Sequence, residues 1–229
     1  MIYPVFCARC EKEGDWICDS CLNNLDFRGV WLCPVCHFYS AGGMCHVGCR
    51  NNCLDGAISI YTYDDQHPVL HLLKNLKYHL AHDTTLVWQD LWAKFWEQHK
   101  DMLRPILRES TLIPIPLHPR RERLRGFNQA AILASSLLVA LGQDEVRVKY
   151  KPNILKRKRH TACQAELKAD YVKRMLNMDS AFAVNNTRVS GRVLLVDDVF
   201  TSGATLNAAA QALRQAGASH VFAVTLFRG

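Results

Sequence analysis

The sequence predicts an α/β fold, a parallel sheet flanked by helices, with a small cysteine-rich module ahead of it. Three observations predict it. Nine of the ten cysteines fall before residue 54. The remainder of the chain twice runs from a short apolar strand through a polar loop into a helix, and the second of these units ends in a further strand, completing a β-α-β pattern. At 229 residues the chain holds one medium core and an appendage, because domains run to roughly 100–200 residues. No apolar run approaches the roughly 20 residues that a bilayer-crossing helix needs. Met1 to Cys7 lacks the basic and apolar regions of a secretory leader, so a cytoplasmic protein is expected. In a reducing compartment cysteines serve metal ligation or burial rather than disulfides.

Their spacing points to metal. Cys7-x2-Cys10 and Cys18-x2-Cys21 are two knuckles that place paired thiolates on one side of a Zn²⁺ ion. Cys33-x2-Cys36 opens a second set, whose partners come from Cys45, His46, Cys49 and Cys53; we assign Cys45 and Cys49. Buried thiols or a redox pair fit less well, since this stretch has almost no aliphatic core of its own. Four closed ligands leave no open position, so about two structural zinc ions are expected. The module is assigned to residues 1–53 and the main domain to 54–229. On that division, loss of one ligand unfolds the head and spares the main domain.

The main domain opens with a strand, Ala57 to Tyr63, where β-branched and aromatic residues gather. Helical periodicity follows over Val69 to Tyr78 and Thr84 to His99, the second with Trp88, Leu91, Trp92 and Phe95 on one face. That stripe reads as core; such faces also serve oligomer contacts, which makes a homodimer its alternative use. Leu112 to Pro116 is a strand running out into a loop, because proline cannot sit in a central ladder. The loop is His118 to Gly126, and Asn128 to Leu141 is a helix closed by Gly142. The second unit is strand Val193 to Asp197, helix Leu206 to Ala216, stop Gly217 and strand Val221 to Phe227. Strands joined through a helix are parallel, and ligands of such sheets lie beyond the carboxyl ends of the strands.

The run Asp197-Asp198-Val199-Phe200-Thr201-Ser202-Gly203-Ala204-Thr205 occupies that place. Thr201 to Thr205 is a turn of small residues leading into a helix, so backbone N–H groups and the positive helix end converge where a phosphate can rest. Thr201, Ser202 and Thr205 add hydroxyls, and Gly203 lets the backbone approach the ligand. Asp197 and Asp198 can accept hydrogen bonds from vicinal ribose hydroxyls or hold hydrated Mg²⁺. Acids beside a phosphate cup mean a sugar phosphate. The turn lacks the lysine of a Walker A loop.

From Val193 to Thr205 the sequence resembles the phosphoribosyl pyrophosphate signature of type I phosphoribosyltransferases. The cysteine head, Leu76-Lys77-Tyr78, Pro114 to Arg121, Arg125-Gly126-Phe127-Asn128-Gln129 and Thr161-x2-Gln164 resemble the ComF/GntX family over nearly the whole chain. The resemblance implies a type I phosphoribosyltransferase fold, with Asp197 and Asp198 at the ribose and Mg²⁺ and Thr201, Ser202, Gly203, Ala204 and Thr205 around the 5-phosphate. It places His118 and Arg121 in a pyrophosphate loop, Leu117 to Arg121, and Lys158 in a flap from Lys156 to about Tyr171. It further implies a part in uptake of single-stranded DNA during natural transformation, alongside other competence proteins. The spacing Cys45-x3-Cys49-x3-Cys53 departs from the family's more usual C-x2-C, and any hood over a nitrogenous base must come from the N-terminal half.

Three functions fit these residues. The first is phosphoribosyl transfer, in which the C1–O bond to pyrophosphate breaks as a nucleophile attacks, with Arg121 and Lys156 to Arg159 neutralising the departing charge; the reaction would serve nucleotide or cofactor salvage. The second is a ligand sensor that keeps the pocket without turnover. The third is a platform for single-stranded DNA. The chain carries a net charge of +7, and ten of its 28 basic residues lie in two stretches, Arg120, Arg121, Arg123 and Arg125, then Lys149, Lys151, Lys156, Arg157, Lys158 and Arg159. Such runs are commonly solvated faces; they also make an electrostatic track for a polyanion.

Overall fold

A computed structural model describes residues 4–49, 52–78, 84–142, 146–158, 181–185 and 188–229. Its main sheet uses β1 (Val30–Trp31), β2 (Gly56–Thr62), β3 (Thr111–Pro114), β4 (Lys149–Tyr150), β7 (Arg192–Phe200) and β8 (His220–Arg228), in the order β1-β2-β8-β7-β3-β4. Every pairing but β1 with β2 is parallel. Parallel strands buried on both faces read as unbroken apolar runs: Val193 to Val196 in β7 and Val221 to Ala223 in β8 are all buried. A second, two-stranded ribbon pairs β5 (Leu155–Arg157) with β6 (Phe182–Val184) antiparallel.

Helix α1 (Asp19–Asn23) lies in the cysteine head, and α2 (Pro68–Tyr78) follows β2. Helix α3 spans Thr85–Leu107, eight residues past the expected end at His99. Pro105 sits in its last turn, and the Arg192 guanidinium donates to the freed carbonyl oxygens of Pro105 and Arg108 at 3.0 and 3.2 Å. Trp88, Leu91, Trp92 and Phe95 are at most 2% exposed, so the aromatic stripe is core and is not available to a second subunit. Helix α5 (Gln129–Ala140) packs beside it.

The basic stretch His118 to Gly126, expected to be a loop, contains helix α4 (Pro119–Arg125). Its ends have ordinary causes: the His118 side chain accepts from the Arg120 N–H, Pro119 sits in the first turn, and Gly126 closes the helix at φ 80°. The second basic stretch, Lys149 to Arg159, lies partly on β4 and β5, with Arg159 outside the described residues.

The cysteine head is welded to the sheet. Trp31 pairs with Ile58 across β1 and β2, its ring stacks on Phe95 of α3 at 5.9 Å, and His99 Nε2 lies 2.7 Å from the Phe27 carbonyl oxygen. Ile17, Leu22 and Phe27 belong to the same buried cluster as Trp88 and Trp92. The division at residue 53 therefore marks a change of composition that the packing crosses.

Candidate phosphate loop and metal centres

At the carboxyl end of β7 the chain turns at Thr201-Ser202-Gly203 into α6 (Ala204–Gln215). The helix begins two residues earlier than the periodicity indicates, because small residues at its start carry no apolar face to read. Gly203 is its N-cap at φ 73°, and no side chain caps its first amides. The four N–H groups of the first turn therefore point, with the positive end of the helix dipole, at the space before the loop. A Cβ on Gly203 would stand 2.6 Å from Cζ of Phe200, so both the conformation and the space demand glycine. Ser202 Oγ is buried and has no hydrogen-bond partner among the described residues, a donor held ready at the loop.

Asp197 and Asp198 lie within β7 rather than beyond it, since the strand continues to Phe200 against Phe227 and Arg228 of β8. Each carboxylate accepts from the next backbone N–H, Asp197 from Asp198 at 2.9 Å and Asp198 from Val199 at 2.8 Å. Asp198 is 8% exposed, while Asp197 is half-buried. Arg157, on β5, is near both Asp197 and Arg121: burial holds its pKa below the usual guanidinium range, Asp197 works against that fall and Arg121 adds to it. Its guanidinium also lies over the Phe182 ring, 5.5 Å from the centroid. Arg157 thus lies within electrostatic reach of Asp197 and of Arg121. Arg157 stood in the sequence only as one member of a basic run, and nothing there marked it out.

His118 acts as the cap of α4, with Nδ1 3.2 Å from the Arg120 nitrogen. Asn128 binds the strand end to α5: Oδ1 accepts from the Ala130 N–H and Nδ2 donates to the Ile115 carbonyl oxygen at 3.0 Å. Arg125 donates to Gln129 Oε1 at 2.9 Å. Lys158 is exposed, its backbone N–H donating to Ala181. Thr161, Cys163, Gln164 and Tyr171 of the expected flap lie outside the described residues.

Two ligand sets gather in the head. Cys7, Cys10, Cys18 and Cys21 hold their sulfurs within 4.8 Å of one another, with Cys10 and Cys18 at 3.7 Å. Tetrahedral thiolates at about 2.3 Å from zinc stand about 3.8 Å apart, so this set fits the ion. The second set is Cys33, Cys36, His46 and Cys49. Here the assignment of Cys45 is corrected: the fourth place goes to His46, whose Nδ1 lies 3.2 Å from Cys36 Sγ. Cys45 Sγ instead donates to the Cys49 carbonyl oxygen at 3.3 Å. The two residues are neighbours in sequence, so spacing alone cannot choose between them.

Backbone amides prepare one thiol of each set for a cation, while burial and the neighbouring thiols push Cys21 up to about 12 and Cys49 up to about 11. Burial alone raises the Cys7 thiol, but hydrogen bonds from the backbone of Cys18, Cys10 and Arg9 outweigh it and bring it down to about 6. Cys33 is likewise lowered to about 6, burial being overcome by the backbone of Cys36, His46 and Val35. Thiolates at neutral pH are what a metal needs. Both sets can hold a metal ion, and their sulfur-rich donors suit zinc.

Comparison with known proteins agrees with this geometry. Residues 125–229 match the Phosphoribosyl transferase domain, a stretch running from α4 through both strands that carry the phosphate loop. Over 228 residues, 95% of this chain and 86% of the relative, the sequence is 27% identical to Competence protein ComFC of Bacillus subtilis strain 168. These likenesses support a place in the ComF family. Competence protein F of Haemophilus influenzae is 37% identical over 113 residues, covering 48% of this chain and 46% of that protein. DNA utilization protein YhgH of Salmonella typhi is 34% identical over 110 residues, covering 48% and 45%. This chain has a mixed α/β, mostly parallel phosphoribosyltransferase-type domain behind two cysteine-rich clusters that can hold metal. Among the described residues no helix is long and apolar enough to cross a membrane.

Proposed function

We propose that this ComF-family chain binds phosphoribosyl pyrophosphate with Mg²⁺ and acts in the uptake of single-stranded DNA. The observation that carries the ligand is the uncapped start of α6, with Gly203 at φ 73° and the unpartnered Ser202 Oγ, set one strand end away from Asp197 and Asp198. The amides and hydroxyls of Thr201 to Thr205 suit a 5-phosphate, and the acids suit ribose hydroxyls and a hydrated Mg²⁺. Arg121 and Arg157 supply positive charge where pyrophosphate would lie. A chain so equipped can transfer a phosphoribosyl group or merely sense the ligand, and release of pyrophosphate separates the two.

Calorimetry tests the binding. Phosphoribosyl pyrophosphate should bind with Mg²⁺ and lose most of its affinity without it. Asp198→Asn keeps the shape and removes the charge; the lost interaction, about 1.5–3 kcal/mol for a charged partner, should weaken binding at least about tenfold. Equal affinity in that variant, or none in the parent, would overturn the assignment.

The DNA role rests on the relatives' names and on exposed cations. Arg120 and Arg123 on α4 and Lys156 and Lys158 on or beside β5 are exposed, more positive charge than pyrophosphate requires. Single-stranded DNA should bind weakly, with a log-log salt slope of about −0.7 per phosphate neutralised. Alanine at these four positions should flatten the slope; a parent slope near zero would leave the cations to solvent.

A further inference from the structure

Arg228 is 3% exposed and takes part in none of the ion pairs among the described residues. Its Nη2 donates to the Cys33 carbonyl oxygen and lies close to His37 Nδ1, both at 3.2 Å. On its other side, Cζ sits 3.7 Å from the centroid of the Phe200 ring. That ring occupies the space where Gly203 would carry a Cβ, and the backbones of Phe200 and Arg228 are register partners in β7 and β8. A line of direct contacts therefore runs from the second ligand set through Cys33, Arg228 and Phe200 to the turn that starts α6.

A buried guanidinium without a countercharge is costly. Three thiolates and one imidazole around a divalent ion would carry one net negative charge, and Arg228 reaches that set through its hydrogen bond to the Cys33 carbonyl oxygen. An ion in that set would give Arg228 an anionic neighbour, and the planar guanidinium covers the Phe200 ring that lies under Gly203. Loss of the ion would remove the constraint that places the Cys33 carbonyl and, with it, the backing of Phe200.

We propose that Arg228 is a positioning residue that couples metal occupancy of the Cys33–Cys36–His46–Cys49 set to anion affinity at the Thr201–Thr205 loop. The proposal rests on reading that loop as a phosphate site and adds a linkage to it. Linkage is reciprocal, so a loop ligand must tighten the binding of this ion by the factor by which the ion tightens the ligand.

The test measures two things on the full zinc-loaded chain: transfer of zinc to a chromogenic chelator, with and without inorganic phosphate, and phosphate affinity by calorimetry. In the parent, saturating phosphate should protect one of about two zinc ions roughly tenfold, within the usual range of coupling. Arg228→Gln should yield that ion to the chelator more readily at equilibrium even with no ligand, weaken phosphate about tenfold and abolish the protection. Arg228→Lys should restore much of the zinc retention, through charge, but not the phosphate affinity, for want of a planar group on Phe200. Phe200→Leu, which leaves the contact of Arg228 with Cys33, should retain zinc and lose the coupling. Circular dichroism establishes that each variant is folded. Zinc retention and phosphate affinity both unchanged in Arg228→Gln, or phosphate that binds the parent without protecting either ion, would overturn the proposal. A parent that binds phosphate but not phosphoribosyl pyrophosphate overturns the ligand assignment and leaves this linkage standing.

Discussion

Gly203→Val is expected to abolish measurable binding of phosphoribosyl pyrophosphate while leaving the sheet intact. At φ 73° a β-branched residue is a backbone outlier, and the left-handed region alone costs an L-residue roughly 1–2 kcal/mol. The new Cβ would stand 2.6 Å from Cζ of the Phe200 ring, and the ring cannot retreat because Arg228 covers it at 3.7 Å. The turn must open, and the N–H groups of α6 then no longer converge. Each 1.4 kcal/mol is about tenfold in affinity, so strain and misdirected donors together put the loss at a hundredfold or more. Calorimetry with Mg²⁺ reads the affinity, and far-ultraviolet circular dichroism reads the fold. Parental affinity in a folded variant would show that the turn does not carry the phosphate.

What the sequence revealed and what it withheld follow from the range of the interactions involved. Helix α6, β7 and β8 were legible because apolar runs, a small-residue turn and Gly217 are local signals. The first ligand set was legible because two C-x2-C knuckles leave no choice of partner. His46 was not, since Cys45 lies beside it and only the path of the Met44–Cys49 turn decides which side chain faces Cys36. Helix α4 has no apolar face to reveal it, although His118, Pro119 and Gly126 mark both its ends; capping outweighs composition there. Arg157 and Arg228 owe their places to pairings across β5–β6 and β7–β8, which no local pattern encodes. The extension of α3 to Leu107 depends on Arg192, 84 and 87 residues away from the two carbonyls it caps at the helix end, those of Arg108 and Pro105.

Cys7→Ser is expected to lower the stability of the whole chain, not of the head alone. Removing one of four ligands should release one of about two zinc ions, which metal analysis reads directly. Structural zinc contributes on the order of 10 kcal/mol in isolated zinc-finger peptides, more than the cysteine head can replace. Were the head an independent unit, the main domain would then melt at its parental temperature. The packing argues otherwise, because Ile17, Leu22 and Phe27 share a buried cluster with Trp88 and Trp92, and Trp31 both pairs with Ile58 and stacks on Phe95. Exposing an apolar side chain of that size costs about 1.5–3 kcal/mol, so releasing three of them costs roughly 4.5–9 kcal/mol. For a chain of this length each kcal/mol moves the midpoint by about 2–4 °C, and a fall on the order of 10 °C or more should follow. Near-ultraviolet circular dichroism follows the tryptophans on both sides of the seam, Trp16 and Trp31 in the head and Trp88, Trp92 and Trp96 in α3, which should lose their signal together. Two separate transitions, the later one at the parental temperature, would establish that the head folds apart from the sheet; full zinc content in the variant would remove Cys7 from the ligand set.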